Sequence, residues 1–254
     1  MRKPIHVAPY NPQWPAMFEA EATTIAKALG KNCIALHHVG STSVPGLAAK
    51  PTIDIIGVVG DPFKTIEPLA SVGFVYRGEY NIPMHFGFSK KEGVDVNLHI
   101  YEEGHPEIDL NLAFRDYLRT HTKARDDYAM LKYILLKDPA SLQKNGRMFA
   151  GYTLGKDAFI RGILRQTNFN RLRITRCTHN SEWEAVTSMI QDATQHPDHI
   201  YVILYQGVDI IGCSHIQNKT VQQILYYSET KKTPDMETYF LVVIEQWLMV
   251  ENNT

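Results

Sequence analysis

Five residue types in the stretch HVGSTSVPGLAAKPTIDII could do chemistry together. Gly40 and Ser41 follow an apolar run, and a glycine without a Cβ lets backbone N–H groups come close to an anion. Ser41, Thr42 and Ser43 add hydroxyls, so the turn suits a phosphate, with Lys50 to neutralise its charge. Asp54 stands inside the apolar run TIDII, where a carboxylate is costly unless it is paired, hydrogen-bonded or bound to a metal. It is expected either to hold Mg2+ beside the phosphate or to pair with a cation such as Lys50 and fasten the loop. Gly-Ser pairs alone are common in turns; the combination with Lys50 and Asp54 points to a site.

Cations recur further along. Arg115 and Arg119 are four apart and share a helix face, with Asp116 beside them. Lys132 and Lys156 each follow a tyrosine, Tyr128 and Tyr152, by four residues. If these faces meet the Gly-Ser turn they make an anion pocket; otherwise they form a solvated face of local ion pairs. Asp95 and Glu79, in later strand-like segments, are further candidates for holding a metal. His37 and His38 would point to opposite faces of a strand, so together with His99 they do not read as a zinc site. Cys33, Cys177 and Cys213 are odd in number and widely spaced, which predicts reduced thiols rather than a disulfide framework or a zinc cluster.

These residues need elements to position them. Phe18, Ile25 and Leu29 recur at helical spacing over 15–29, with Pro15 near the start and Gly30 just past the end. CIALHHVG reads as a strand, STSVPGLAAK as a loop or short helical turn, and TIDIIGVV as a second, buried strand. A helix over 62–72 and strands at GFVYRGEY, MHFGFSK and VDVNLHIY make the first hundred residues mixed α and β. From Asp109 the pattern changes to long helices, LNLAFRDYLRTH, TKARDDYAMLKYILLK and RMFAGYTLGKDAFIRGILRQT, the last two separated around 139–146. Their apolar faces need the sheet or each other. The polar QTNFNR at 166–171 is the linker candidate, because β/α alternation restarts after it. LRITRC reads as a strand and NSEWEAVTSMIQDATQH as a helix capped by Asn180 or Ser181. HIYVILYQGVDIIGCSHIQ reads as a hairpin turning at Gln206-Gly207, VQQILYYSE as a strand and METYFLVVIEQWLMV as a helix. Two domains are predicted, 1–168 and 172–254.

The block HVGSTSVPGLAAKPTIDI, with YNPQWPAMFEAE before it and LAFRDYLRTH, YAMLKY and YTLGKDAFI after it, resembles the GrpB-like family over about residues 4–165. The resemblance implies a nucleotidyltransferase-like mixed sheet with C-terminal helices. In that fold a Gly-Ser pair after the first strand holds triphosphate, and carboxylates on the next strands hold magnesium for attack at the nucleotide's phosphorus. Gly40 and Ser41 fall on that pair, and Asp54 falls on a carboxylate position, the catalytic one. The paired carboxylate two residues away is missing, since position 52 is Thr and position 56 is Ile, whereas two-metal phosphoryl chemistry needs several oxygens around the metal. The resemblance also suggests a basic residue near His85, where histidine is not a fixed charge. The expected function is binding of a nucleotide or another phosphate-bearing small molecule with Mg2+, either for nucleotidyl transfer or as a non-catalytic regulatory module.

The stretch from DIIGCSHIQ to QQILYYSETKKTPDMETYFLVVIEQWL resembles, more weakly, the middle of a Gcn5-related N-acetyltransferase (GNAT). That family has glycines before the helix that binds the pyrophosphate of acetyl-CoA. Asp235 and Glu237 stand there instead, obstructing the approach and repelling the anion, so acetyl-CoA is not an expected cofactor. The expected α/β domain is a truncated relic used for packing or for association between copies, which would cover an open sheet edge. With 44% hydrophobic and 21% charged residues and a formal net charge of -1, the composition suits a globular chain and gives no electrostatic footprint for nucleic acid. No apolar run approaches the roughly 20 residues that cross a bilayer, and the start lacks the apolar core of a signal peptide. A cytoplasmic protein without a membrane partner is the expectation.

Overall fold

The computed structural model describes residues 6–139, 151–227 and 233–251; the expected break over 140–146, the helix residues 147–150 and Lys231-Lys232 lie outside them. Period-two alternation makes the first sheet two-faced. Strands β1 (Cys33–Val39), β2 (Ile53–Val59), β3 (Val75–Gly78), β4 (Phe86–Lys90) and β5 (Val96–Glu102) lie in the order β1-β2-β5-β4-β3. The pair β2 and β5 runs parallel and the others run antiparallel. Ile53, Ile55, Leu98, Ile100, Phe86 and Phe88 share one face and pack with Ile25 and Leu29 of α1 (Trp14–Leu29) and Leu69 of α2 (Ile66–Ser71). Each such side chain taken from water contributes about 1.5–3 kcal/mol, which makes this layer the main source of cohesion. Register places Val39, Asp54, Asn97, His99 and Tyr101 on the opposite face.

Local chemistry explains where elements start and stop. Instead of one helix over 62–72 there is a 3-10 turn, Pro62–Thr65, whose first N–H groups meet the Asp61 carboxylate, followed by α2. Pro68 has no N–H to donate to the carbonyl of Lys64, so the two pieces cannot merge into a regular helix. Helix α3 (Pro106–Thr120) starts earlier than Asp109 because Pro106 suits a first turn, and the His105 ring accepts from Glu107 N at 3.3 Å. Helix α4 (Thr122–Lys137) follows, then α5 (Gly151–Leu154) and α6 (Asp157–Gln166). The helix expected over 147–167 is thus interrupted at Gly155, where a Cβ would stand 2.5 Å from a Leu135 methyl. Leu118, Tyr128 and Phe159 from these helices close over Val44 and Leu47, which lie just after the Gly-Ser turn.

The chain divides into two compact units, residues 1–80 with 85–168, and residues 81–84 with 169–254. The second unit is an antiparallel sheet of β6 (Leu172–Arg176), β7 (His199–Gln206), β8 (Asp209–Gln217) and β9 (Thr220–Tyr226) in sequence order. Helix α7 (Asn180–Met189) packs Val186 on one face against Ile203, Tyr205 and Cys213. Helix α8 (Pro234–Glu251) packs Phe240, Ile244 and Trp247 on the other, against Val202, Leu204 and Ile216. The start of α7 is held by buried Glu182, whose carboxylate accepts from the N–H groups of Thr178 and His179 at 2.8 and 3.0 Å, rather than by Asn180 or Ser181. Cys33, Cys177 and Cys213 are free thiols, and burial raises the pKa of each. Among the described residues no helix is long and apolar enough to cross a membrane.

Candidate functional site

Strand β1 is followed by Gly40, which takes φ +66 and lies so close to the Asp54 carboxylate that a Cβ at position 40 would collide with Oδ2. The 3-10 turn Ser41–Ser43 follows. Its hydroxyls divide into two sets. Thr42 and Ser43 are buried and spend theirs on backbone carbonyls, Thr42 on Thr52 at 3.1 Å and Ser43 on Gly40 at 2.6 Å. Ser41 is half-buried, and its Oγ accepts from Lys132 Nζ at 2.7 Å. Thr42 and Ser43 therefore shape the turn, and Ser41 is the hydroxyl that faces the cations. His38, on the apolar face, stacks on Phe18 of α1 at 4.8 Å and touches Thr42 at 3.1 Å. Burial first, then Arg119 and Arg115, lower its pKa to about 4, so it stays neutral.

Three of the cations expected from spacing, Arg115, Arg119 and Lys132, donate to this turn or to the strand that leads into it. Arg119 donates Nε and Nη2 to the Ser43 carbonyl at 3.1 and 2.9 Å, and Arg115 donates Nη1 to the His38 carbonyl at 3.1 Å. Asp116 pairs with Arg115 at 2.7 Å and lies 3.6 Å from Arg119. Lys132 is buried, donates to Ala48 O at 2.7 Å as well as to Ser41, and lies 4.5 Å from the centre of the Tyr128 ring. Lys156 lies 4.8 Å from the centre of the Tyr152 ring. Burial first and then Lys156 bring the Lys132 pKa down to about 7, against the pull of Asp54. Burial also lowers Lys156, with Asp54 opposing and exposed Lys50 adding to the lowering. Among the described residues neither Lys132 nor Lys156 has a carboxylate within ion-pair distance.

Asp54 is half-buried, and its Oδ1 accepts from the Asn97 amide at 2.8 Å. Asn97 is its aligned neighbour on β5, a relation that parallel pairing creates and that no local signal in the chain announces. Of the other proposed metal ligands, Asp95 lies just before β5, two residues from Asn97, and Glu79 lies at the far edge of the sheet. Asp95 pairs with Lys91 at 3.6 Å. Glu79 follows Gly78 on the edge strand, and the aligned positions Gly78, Gly87, His99 and Ile56 separate it from β2 by three strand spacings, about 14 Å. Thr52, where a second carboxylate would stand, is buried, and its Oγ1 has no hydrogen-bond partner among the described residues. Among those residues no group of three or more His, Cys, Asp or Glu side chains could hold a metal. A Mg2+ ion here would find Asp54 as its one protein carboxylate, which does not fit a two-metal centre.

Sequence reasoning missed Arg125, which donates Nη1 to Pro45 O at 3.2 Å, and it missed the pairing of His85 with His99 at 2.9 Å. In the second unit Asp235 and Glu237 occupy the first turn of α8, as the sequence places them. Thr233 already satisfies that end of the helix, its Oγ1 accepting from Met236 N at 3.3 Å and its carbonyl from Glu237 N at 3.2 Å.

Comparison with known proteins bears on the first unit. The family model described as GrpB protein matches residues 4–166. A UPF0157 protein of Halalkalibacterium halodurans is 37% identical over 162 residues, covering 63% of this chain and 80% of its own length. The crystal structure of the conserved protein GrpB from Enterococcus faecalis is 34% identical and superposes with a TM-score of 0.56, covering 64% of this chain and 96% of that one. A structure of the Cid1 poly(U) polymerase covers 59% of this chain and 50% of its own at 11% identity, with a TM-score of 0.42, a likeness too slight to carry an argument. The acetyltransferase likeness of residues 172–254 has no counterpart in the family match.

Proposed function

The chain belongs to the GrpB family, and from that premise we propose that its first unit binds a nucleotide or another phosphate-bearing small molecule at Gly40, Ser41, Lys132 and Lys156. The observation that carries this reading is Lys132, buried and donating to Ser41 Oγ at 2.7 Å, with a second lysine, Lys156, close enough to lower its pKa and with Asp54 acting on both. Burying an ammonium is costly unless a counter-charge meets it, and an anionic ligand would supply what the protein does not. A purely structural use of Lys132, tying Ser41 to Ala48, accounts for its hydrogen bonds but not for Lys156 beside it. Lys50, Arg115 and Arg119 add long-range attraction to an anion.

Whether the ligand is also transformed turns on Asp54. Mg2+ bound there would offset phosphate charge and polarise a phosphoryl oxygen. Asn97, an amide at the register position beside Asp54, favours the non-catalytic module over nucleotidyl transfer, because it brings no second anionic oxygen to the metal. Titration of the full chain with inorganic pyrophosphate and with ATP, with and without Mg2+, followed by melting temperature, tests both points. A ligand that binds the folded state raises the midpoint by mass action. Stabilisation by either compound that is lost in Lys132→Met is the expected result, and no stabilisation of the wild-type chain by any phosphate compound would refute the reading. A Mg2+ requirement abolished by Asp54→Asn would assign the metal.

A further inference from the structure

On the polar face of the first sheet, two histidine rings form a directional relay. His85 Nδ1 lies 2.9 Å from the Glu79 carbonyl, and a carbonyl can only accept, so that nitrogen carries the proton. Burial first, then His99, bring the His85 pKa down to about 3, and the ring is neutral with its lone pair on Nε2. His99 Nδ1 stands 2.9 Å from that lone pair and must donate to it. Burial lowers the His99 pKa too, although Asp54 and Glu107 pull the other way. With Nδ1–H committed to His85, Nε2 is the remaining ring nitrogen of His99, and in the neutral ring it is an acceptor. The neighbouring strand makes room for this arrangement: at Gly87, aligned with His99, a Cβ would stand 2.8 Å from the Tyr80 ring, 2.9 Å from Gly78 O and 3.0 Å from the His85 ring.

His99 shares its face of β5 with Asn97, the neighbour of Asp54, and is two residues further along the strand, about 7 Å. That span matches the distance from a phosphate ester to the far hydroxyls of a pentose. We propose that His99 Nε2 accepts a hydrogen bond from a ligand hydroxyl, with His85 as the positioning residue, so that the site selects phosphorylated sugars or nucleosides over bare phosphate. This rests on the phosphate site proposed above and names its ligand class.

Nitrogen-15 NMR of the histidine rings in the full chain tests the relay without ligand. The expected signals show His99 protonated on Nδ1 and bare on Nε2; a proton on Nε2 would overturn the proposal. In His85→Phe, loss of the acceptor should return His99 toward the Nε2–H form, a change that mere packing would not produce. Calorimetry then compares ribose 5-phosphate with inorganic phosphate. The wild-type chain should prefer the sugar phosphate by about tenfold, His99→Phe should lose that preference while still binding phosphate, and Lys132→Met should lose both ligands. Equal affinities in the wild-type chain sink the hydroxyl subsite and leave the phosphate site standing. Absence of binding by both compounds removes the phosphate site and this inference with it. Should His99→Phe fail to fold, the wild-type preference and the tautomer still decide.

Discussion

Gly40 and Asp54 illustrate how one residue's geometry constrains another. Position 40 combines a left-handed φ with contact against a carboxylate, and a side chain there meets both penalties. Gly40→Ala is expected to lower stability by about 1–3 kcal/mol in a denaturant titration, with part of the loss recovered when Asp54 is also changed to Ala. Lys132 makes a pH prediction. Its pKa falls from 10.5 to about 7 on folding, so between these values the unfolded chain holds more protons than the folded one. Its contribution to stability therefore rises with pH over that window, as the burial cost of the charge disappears. Anion binding has the opposite sign, because the ammonium that attracts the ligand is discharged. The affinity for sulfate, whose charge is constant, should fall between about pH 6 and about pH 8, and Lys132→Met should flatten the profile.

At the scale of elements, helices α3 and α4 act as a brace that reads the turn through its backbone. Arg115, Arg119, Arg125 and Lys132 all donate to carbonyls between His38 and Ala48, so they hold the turn's shape as well as its charge balance. Arg119→Gln is expected to cost about 1 kcal/mol of stability, since the guanidinium is part-exposed, yet to weaken sulfate binding by about tenfold. A larger stability loss with unchanged affinity would make Arg119 a strut only. Helix α8 gives the contrasting case. Its first N–H groups already have Thr233 as partner, and Asp235 and Glu237 add negative charge at an end that would attract anions. Calorimetric titration with acetyl-CoA should show no micromolar binding, and binding lost on removal of residues 172–254 would reverse that expectation.

For the molecule as a whole, residues 81–84 count with the second unit although they lie between β3 and β4 in the chain. Asn81 O accepts from Arg176 N at 2.7 Å, and Met84 packs against the core beneath α8. Met84→Ala is expected to destabilise the second unit by about 1–2 kcal/mol, less than a fully buried methionine would cost. Hydrogen exchange should report it: amides of β6 exchange faster, while those of β2 and β5 keep their protection.

What was legible in the chain was the content of short windows. The alternating runs around Asp54, the apolar periods of the helices, the Gly-Ser turn and the blocks shared with the GrpB family all depend on neighbours in sequence, where propensity and periodicity act. The four-residue spacing of Arg115 and Arg119 likewise placed them on one face. Partners distant in the chain were not legible. Asn97 meets Asp54, and His99 meets His85, through strand register, which is set by burying the apolar face of the whole sheet rather than by either residue. The close approach of Leu135 to Gly155, which leaves no room for a Cβ at the break in the helix expected over 147–167, comes from another helix and was likewise not legible. Residue chemistry near Ser41 was thus a property of sequence, while the company each group keeps was decided when the sheet closed and the helices packed over it.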